Sequence, residues 1–186
     1  MNASSSRDGG SFSRDGGPFS GSQNRGGGFG GGGRPSGSPP GGRGGQIGGF
    51  VESAEYLKLG YFDSQGNVRP EIITTEAEKV ALDLIARSRS GQQLSYGQLR
   101  KFFSKAKFVA LQLDSGQSFD SLRHKIAALE RDAADAEGRG VAPPSLKVFI
   151  EKNSRLAQRD EKSFRRGFLP HFEGVMAYFR YHGPDK

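Results

Sequence analysis

Apolar side chains recur at helical spacing in several segments of the second half of the chain, and one segment shows this pattern most clearly. Residues 96–113 carry an apolar stripe made of Leu99, Phe102, Phe103 and Ala106. Ser95 is a suitable N-cap for this stripe because its hydroxyl can accept from an orphan backbone N–H. Gln98 follows three residues later and completes a capping box. The segment therefore predicts an amphipathic helix with a defined start.

The same spacing predicts further helices before and after this one. They are a short helix over 51–59, a helix that Thr74 or Thr75 caps and that ends near Gly91, one from Phe119 to about Ala136, one begun by Pro143 and Pro144, and one from about Ser163 to Tyr181. Pro170 should kink or restart the last helix, because proline lacks an N–H and clashes with the preceding turn. No segment alternates as a strand would, so we expect an all-α fold, a bundle of five or six short helices.

Residues 1–49 differ in composition from the rest of the chain. They contain 19 of the 29 glycines, many serines, five arginines and no lysine. Burial cannot offset the entropy of ordering such a segment, so we predict a disordered tail at 1–49 and a helical domain at 50–186. Arginine and phenylalanine scattered through glycine are typical of tails that touch nucleic acids weakly. A flexible leader without a specific role is the alternative.

Composition excludes several classes of protein. The 186 residues carry a formal charge of +7 and no cysteine, which rules out disulfides and cysteine-bound metals. No apolar run approaches the roughly 18 residues that a membrane span needs, and the N-terminus lacks the apolar region of a secretory signal. We therefore expect a soluble cytoplasmic protein that does not bind a membrane.

The sequence shows no clear motif of an enzyme. The three histidines, His124, His171 and His182, are far apart and show no metal-type spacing. No glycine-rich loop follows a strand, as a phosphate-cradling loop would. We expect no catalysis, no cofactor and no metal.

Basic residues are clustered, and these clusters are the strongest functional signal. Lys101 and Lys105 are four residues apart, so they share one face of their helix. The positions 152, 155, 159, 162 and 166 would form a basic stripe if one helix were continuous there. The candidate RNA-binding residues are Arg100, Lys101, Lys105, Arg123, Lys125, Arg155, Arg159, Lys162 and Arg166. A solvated helix face is the alternative for either cluster alone, but two clusters favour a polyanion bound through its phosphates.

Two segments resemble a known family. Residues 94–103, LSYGQLRKFF, and residues 168–183, FLPHFEGVMAYFRYHG, are similar to segments of the small subunit of type III-A CRISPR effector (Csm) complexes. Gly174 departs from the pattern, which has alanine at that position. The long tail is also an addition to the family's usual length.

The resemblance implies a non-catalytic helical subunit that acts in antiviral defence. Its expected partners are crRNA, target RNA, the other subunits of the effector complex and stacked copies of itself. Arg100 and Lys101 match the family's basic pair, Arg123 looks like a basic position on the next helix, and 178–181 should supply core or subunit contacts. Two alternatives stay open: a general single-stranded nucleic-acid binder that uses the tail, and a scaffold that contacts proteins only.

Overall fold

The part of the chain that the computed structural model describes, residues 49–86, 91 and 94–183, is mainly α-helical. Its helices are α1 (Gly49–Ser53), α2 (Pro70–Ile73), α3 (Thr75–Leu84), α4 (Tyr96–Asp114), α5 (Phe119–Gly138), α6 (Pro144–Ala157) and α7 (Leu169–His182). A 3₁₀ turn at Glu55–Leu57 and a π-helical segment at Ser163–Phe168 complete it. Within these ranges the only strand-like feature is an isolated bridge between Phe62 and Val68. The predicted all-α bundle is confirmed; apart from Gly49, which begins α1, the predicted tail lies outside the described residues.

Three helix starts follow the local chemistry that predicted them. At α4 the Ser95 hydroxyl accepts from the Gln98 N–H at 3.1 Å, and the Gln98 side-chain oxygen accepts from the Ser95 N–H at 2.8 Å. Pro144 occupies the first turn of α6. Pro170 lies in the first turn of α7, which follows the π-helical segment Ser163–Phe168 without a non-helical residue between them. The capping box is therefore confirmed, and the helix changes from π to α next to Pro170.

Two predicted helix boundaries are wrong. Ala54 adopts φ 49°, which ends α1 and replaces the predicted 51–59 helix with a short 3₁₀ turn. The Asp83 carboxylate accepts from the Val51 N–H at 2.8 Å in the first turn of α1, and Tyr56, which follows the break, is buried in the core. The next helix, α3, ends at Leu84 and not near Gly91. Thr74 precedes it, but the Thr74 hydroxyl donates to the Pro70 carbonyl and makes no capping bond.

Phenylalanine rings join the long helices into one core. The Phe172 ring on α7 lies 5.4 Å from the Phe103 ring, 5.2 Å from Phe149 and 5.6 Å from Phe168, measured between ring centroids. Edge-to-face and tilted contacts of this kind add to the apolar burial of each ring. Leu99 and Phe102 are buried, and Phe103 is half-buried against the core. The inner face of α4 is therefore fixed, and the orientation of its outer face is fixed with it.

Gly174 on α7 allows a close approach of α2. A β-carbon at this position would lie 2.6 Å from the Ile73 carbonyl oxygen and 3.1 Å from the Ala77 β-carbon. An alanine would therefore push α7 away from the ends of α2 and α3. This contact explains why glycine stands where the family's pattern has alanine.

A buried polar cluster connects the first segments of the domain to α6 and α7. The Tyr61 hydroxyl donates to the Asn153 side-chain oxygen at 2.9 Å, and the Asn153 amide donates to the Tyr56 hydroxyl at 3.3 Å. His171 packs against both tyrosine rings and donates from Nδ1 to the Ile72 carbonyl. Burial raises the pKa of Tyr61 and of Tyr56, so both hydroxyls stay protonated and able to donate.

Candidate nucleic-acid interface

The predicted basic residues separate into two clusters near opposite ends of α5. The α4 cluster consists of Arg100, Lys101 and Lys105, and it faces the C-terminal end of α5. The turn cluster consists of Arg123, near the N-terminal end of α5, and of Arg159 and Lys162, which follow α6; the Arg123 guanidinium contacts the Arg159 carbonyl. Arg123 and Asp135, which lies beside the α4 cluster, are 12 residues apart on α5, or about 18 Å along the helix.

The α4 cluster lines a cavity of about 620 Å³ between α4 and α5. The cavity is lined by apolar residues that include Leu94, Phe102, Ala136 and Ala142. Arg100, Lys101 and Lys105 project from one wall, so the helix turn brings the three cations together as predicted. The result is a groove with an apolar lining and a positively charged rim. The rim lies on α4, whose opposite face packs in the hydrophobic core.

Ion pairing distinguishes the members of the α4 cluster. Lys105 Nζ lies 2.5 Å from the Asp132 carboxylate, which also accepts from Arg131. Although partial burial opposes it, hydrogen bonds from Lys105 and Arg131 lower the pKa of Asp132, which keeps the carboxylate charged. Arg100 and Lys101 are exposed and form no ion pair within the described residues. These two cations are therefore free to bind an external anion.

The turn cluster is assembled by a break in the chain and not by one helix. Helix α6 ends at Ala157, and the Asp160 carboxylate begins a new helical turn by accepting from the Ser163 N–H at 2.7 Å. The helix is therefore not continuous from 152 to 166, and the condition for one basic stripe is not met. The break brings Arg159 to Arg123, whose guanidinium lies 3.4 Å from the Arg159 carbonyl, and Lys162 Nζ lies 4.6 Å from the Phe62 ring centroid.

The other predicted cations are placed differently. Arg155 pairs with Glu151 at 2.7 Å on the surface of α6, and Arg166 is exposed. Lys125 is half-buried, and its ammonium donates to the Gln112 side-chain oxygen at 2.8 Å. Lys125 thus belongs to the middle of the α4–α5 face, away from both clusters.

Two arginines near the α4 cluster were not among the predicted site residues. Arg139 lines the same cavity and pairs with Asp135 at 3.0 Å. Arg180 stacks its guanidinium 5.7 Å from the Tyr96 ring centroid and shares a second cleft of about 310 Å³ with Arg100. The basic position in the C-terminal segment, Arg180, was a usable signal, but only the fold places it beside α4.

Neither a metal centre nor a membrane span is found in the described ranges. No group of three or more His, Cys, Asp or Glu side chains among residues 49–86, 91 and 94–183 could hold a metal ion. No helix in the same ranges is long and apolar enough to cross a membrane.

The described domain is thus a small all-α protein with exposed cations around a groove. This architecture is typical of a helical subunit that binds its partners through its surface. The family Csm2 Type III-A matches residues 70–185, and the chain belongs to this family. It is therefore a type III-A CRISPR-Cas effector subunit, and its family is a structural one that associates with the other subunits of the complex. Neither a curated protein nor a solved structure matches the chain.

Proposed function

We propose that this chain is a non-catalytic, RNA-binding small subunit that lies along the paired crRNA and target RNA in the cytoplasm. Several copies would repeat along the RNA, and cleavage would belong to other subunits. The observation that carries the proposal is the pair Arg100 and Lys101, two exposed cations without an ion-pair partner among the described residues. They stand on a helix whose start is capped and whose inner face is packed.

The chemistry of these cations suits phosphates better than base edges. Lysine and arginine on an exposed helix face neutralise backbone charge without reading sequence, and double-stranded RNA is bound mainly through its shape and its backbone. Arg180 and Arg139 add positive charge beside the pair. Sequence selectivity would then come from the guide, and this chain would act as a clamp on the backbone.

The turn cluster offers a second contact. Its separation from the α4 cluster, about 18 Å along α5, is long enough for the two clusters to meet different phosphates of one RNA. Lys162 is held by the Phe62 ring, so its position is restricted before any RNA arrives. We therefore assign Arg123, Arg159 and Lys162 to a supporting role in the same binding event.

Replacing Arg100 and Lys101 together with alanine is expected to weaken binding to a guide–target RNA duplex by about tenfold to thirtyfold. The variant loses two phosphate contacts, so the slope of log affinity against log salt should fall by about two. Fluorescence anisotropy titrations of the purified chain, repeated over a range of salt concentrations, measure both quantities.

The matched control replaces Lys58 and Lys79 with alanine, which removes the same charge from positions that line neither the cavity of the α4 cluster nor the turn cluster. Lys58 pairs with Glu55, and Lys79 lies over the Phe50 ring. The control should change affinity by less than about threefold, the general effect of lowering net charge. Equal losses of RNA affinity in both double variants would mean that the chain attracts RNA only through its net charge, which would contradict the proposal. Unchanged affinity and salt slope in the Arg100/Lys101 variant would favour a protein-only scaffold.

The glycine-rich N-terminal segment carries the second candidate function, a general single-stranded nucleic-acid binder. Five arginines and several phenylalanines in residues 1–48 are the composition that favours it. Removing residues 1–48 is expected to leave the cooperative melt intact and to keep most of the duplex RNA affinity. Affinity that collapses on truncation while the melt stays unchanged would instead assign the binding to the tail. Circular dichroism and the same anisotropy assay measure the two outcomes.

A further inference from the structure

A groove between α4 and α5 has features that phosphate binding does not use. It has a volume of about 530 Å³ and follows directly from the cavity of the α4 cluster, with which it shares Ser104, Lys105 and Asp132. Val109, Ala128 and Leu129 line it with apolar surface. We call it the α4–α5 groove.

Two large apolar side chains stand exposed on α4: Phe108 lines the groove, and Leu111 lies about one turn further along the helix. Phe108 is 57% exposed and Leu111 is 63% exposed, and they are three residues apart on one helix face. The neighbouring apolar residues Val109, Ala110 and Leu113 are buried. Two exposed apolar side chains make no favourable contact with RNA phosphates. A groove between two helices with apolar side chains beside it is, in contrast, a common docking site for a third helix.

The charge around the groove indicates what its occupant carries. Lys105, His124, Lys125 and Arg131 line it, and its one acidic residue, Asp132, already pairs with Lys105 and Arg131. Lys125 also lies 5.9 Å from the Phe108 ring centroid, beside the exposed apolar surface. A partner whose apolar side chains are flanked by Asp or Glu would therefore complement the groove.

A second copy of this chain fits the groove poorly. Among the described helices, each one apart from α4 exposes at most one large apolar side chain, such as Leu82 on α3 or Tyr181 on α7. Pairing α4 with α4 of another copy would bring the same basic rims together, which costs energy. The described helices of a second copy therefore offer no matching apolar surface, which favours a different chain as the partner.

We propose that the α4–α5 groove docks an acidic amphipathic helix from another subunit of the effector complex. Aliphatic side chains of that helix pack on the exposed Phe108 and Leu111, and its acidic residues face Lys125 and Arg131. The proposal rests on membership of the Csm2 family and not on the proposed RNA contact. It places a protein-docking surface directly beside the α4 cluster on the same pair of helices.

Replacing Phe108 and Leu111 together with serine tests the proposal in an effector complex reconstituted from the remaining subunits and guide RNA. Incorporation of the double variant, measured by titration and size-exclusion chromatography, should be at least tenfold weaker than that of the unchanged chain. The matched control replaces Leu59 and Leu82, two other exposed leucines, with serine and should incorporate normally. Normal incorporation of the Phe108/Leu111 variant would overturn the proposal.

Two further measurements separate this proposal from the RNA proposal and identify the partner. The Phe108/Leu111 variant should keep its melting temperature and its RNA affinity as a free chain, because both side chains are exposed and lie outside the α4 cluster. Loss of RNA affinity would mean that the groove binds RNA. A photo-crosslinking phenylalanine analogue at position 108 should attach to an acidic helical segment of a different subunit. Attachment to RNA, to a second copy or to nothing would contradict the docking assignment.

Discussion

Replacing Gly167 with alanine is expected to lower the free energy of unfolding by about 3 kcal/mol, the upper range for overpacking a core. Gly167 lies in the π-helical segment, and a β-carbon there would be 2.3 Å from Cδ2 and 2.6 Å from Cγ of Tyr61. Tyr61 is buried, and its hydroxyl is tied to Asn153, so the ring cannot withdraw without losing those hydrogen bonds. Urea unfolding followed by circular dichroism measures the change.

Gly138 provides the matched control for this substitution. It lies at the end of α5, and a β-carbon there would meet no atom within 4 Å. Alanine at position 138 should leave stability unchanged or raise it by up to about 1 kcal/mol, because it restricts the unfolded chain. If the Gly167 and Gly138 variants were equally stable, the close contact between Tyr61 and the π-helical segment would be wrong.

Lowering the pH from 7 to 4 is expected to cost the fold about 3 kcal/mol through His171 alone. Burial lowers the pKa of His171 to about 4, against the hydrogen bond to Ile72, and the nearby Arg69 charge adds to the decrease. Its Nε2 is buried without a partner in the described part of the molecule. Protonation would place a second donor and a full charge where neither is satisfied.

The direction in which stability changes with pH follows from the protonation of His171 in the folded and unfolded chain. The ordinary pKa of histidine, about 6.5, applies to the unfolded chain, so between pH 6.5 and 4 the unfolded chain binds a proton that the folded chain does not. Stability is therefore complete above pH 6.5 and falls steadily as the pH decreases toward 4. Tyr56 and Tyr61, the tyrosines in contact with His171, stay neutral throughout this window because burial raises their pKa.

Replacing His171 with asparagine separates this titration from other acid effects. The asparagine amide can donate to Ile72 but does not titrate, so the variant should start less stable and then lose less stability between pH 6.5 and 4. Replacing the exposed His124 with asparagine is the matched control for removing an imidazole. Urea unfolding at half-unit pH intervals gives the slopes, and identical slopes for the His171 variant and the unchanged chain would contradict the buried neutral imidazole.

Predictions from sequence succeeded where the partners are close in the chain. Ser95 and Gln98 make both bonds of their capping box, Pro144 begins α6, and Pro170 lies in the first turn of α7. The recurrence of apolar residues also identified Leu99 and Phe102 as buried. Helical spacing is a local property, so it placed Lys101 and Lys105 on one face of α4 without any knowledge of the fold.

Predictions failed where distant residues decide the backbone. The predicted 51–59 helix ends after Ser53, where Ala54 takes φ 49°, and Tyr56 and Leu57 beyond it are buried in the core. The condition for one basic stripe from 152 to 166 is not met either, because α6 ends at Ala157 and Asp160 caps the next turn. At 51–59 the helical pattern of the sequence continues through a point at which the packed chain has to turn.

The amino-acid sequence by itself determined the all-helical class, the starts of the main helices and the family, because these depend on local spacing and short motifs. Only the tertiary structure decided which cations are free. Lys105 is paired with Asp132, 27 residues away, and Arg165 with Asp114, 51 residues away, while Arg100 and Lys101 remain without such partners in the described residues. Ion pairs between separate helices depend on how those helices pack, and that packing also exposes Phe108 and Leu111.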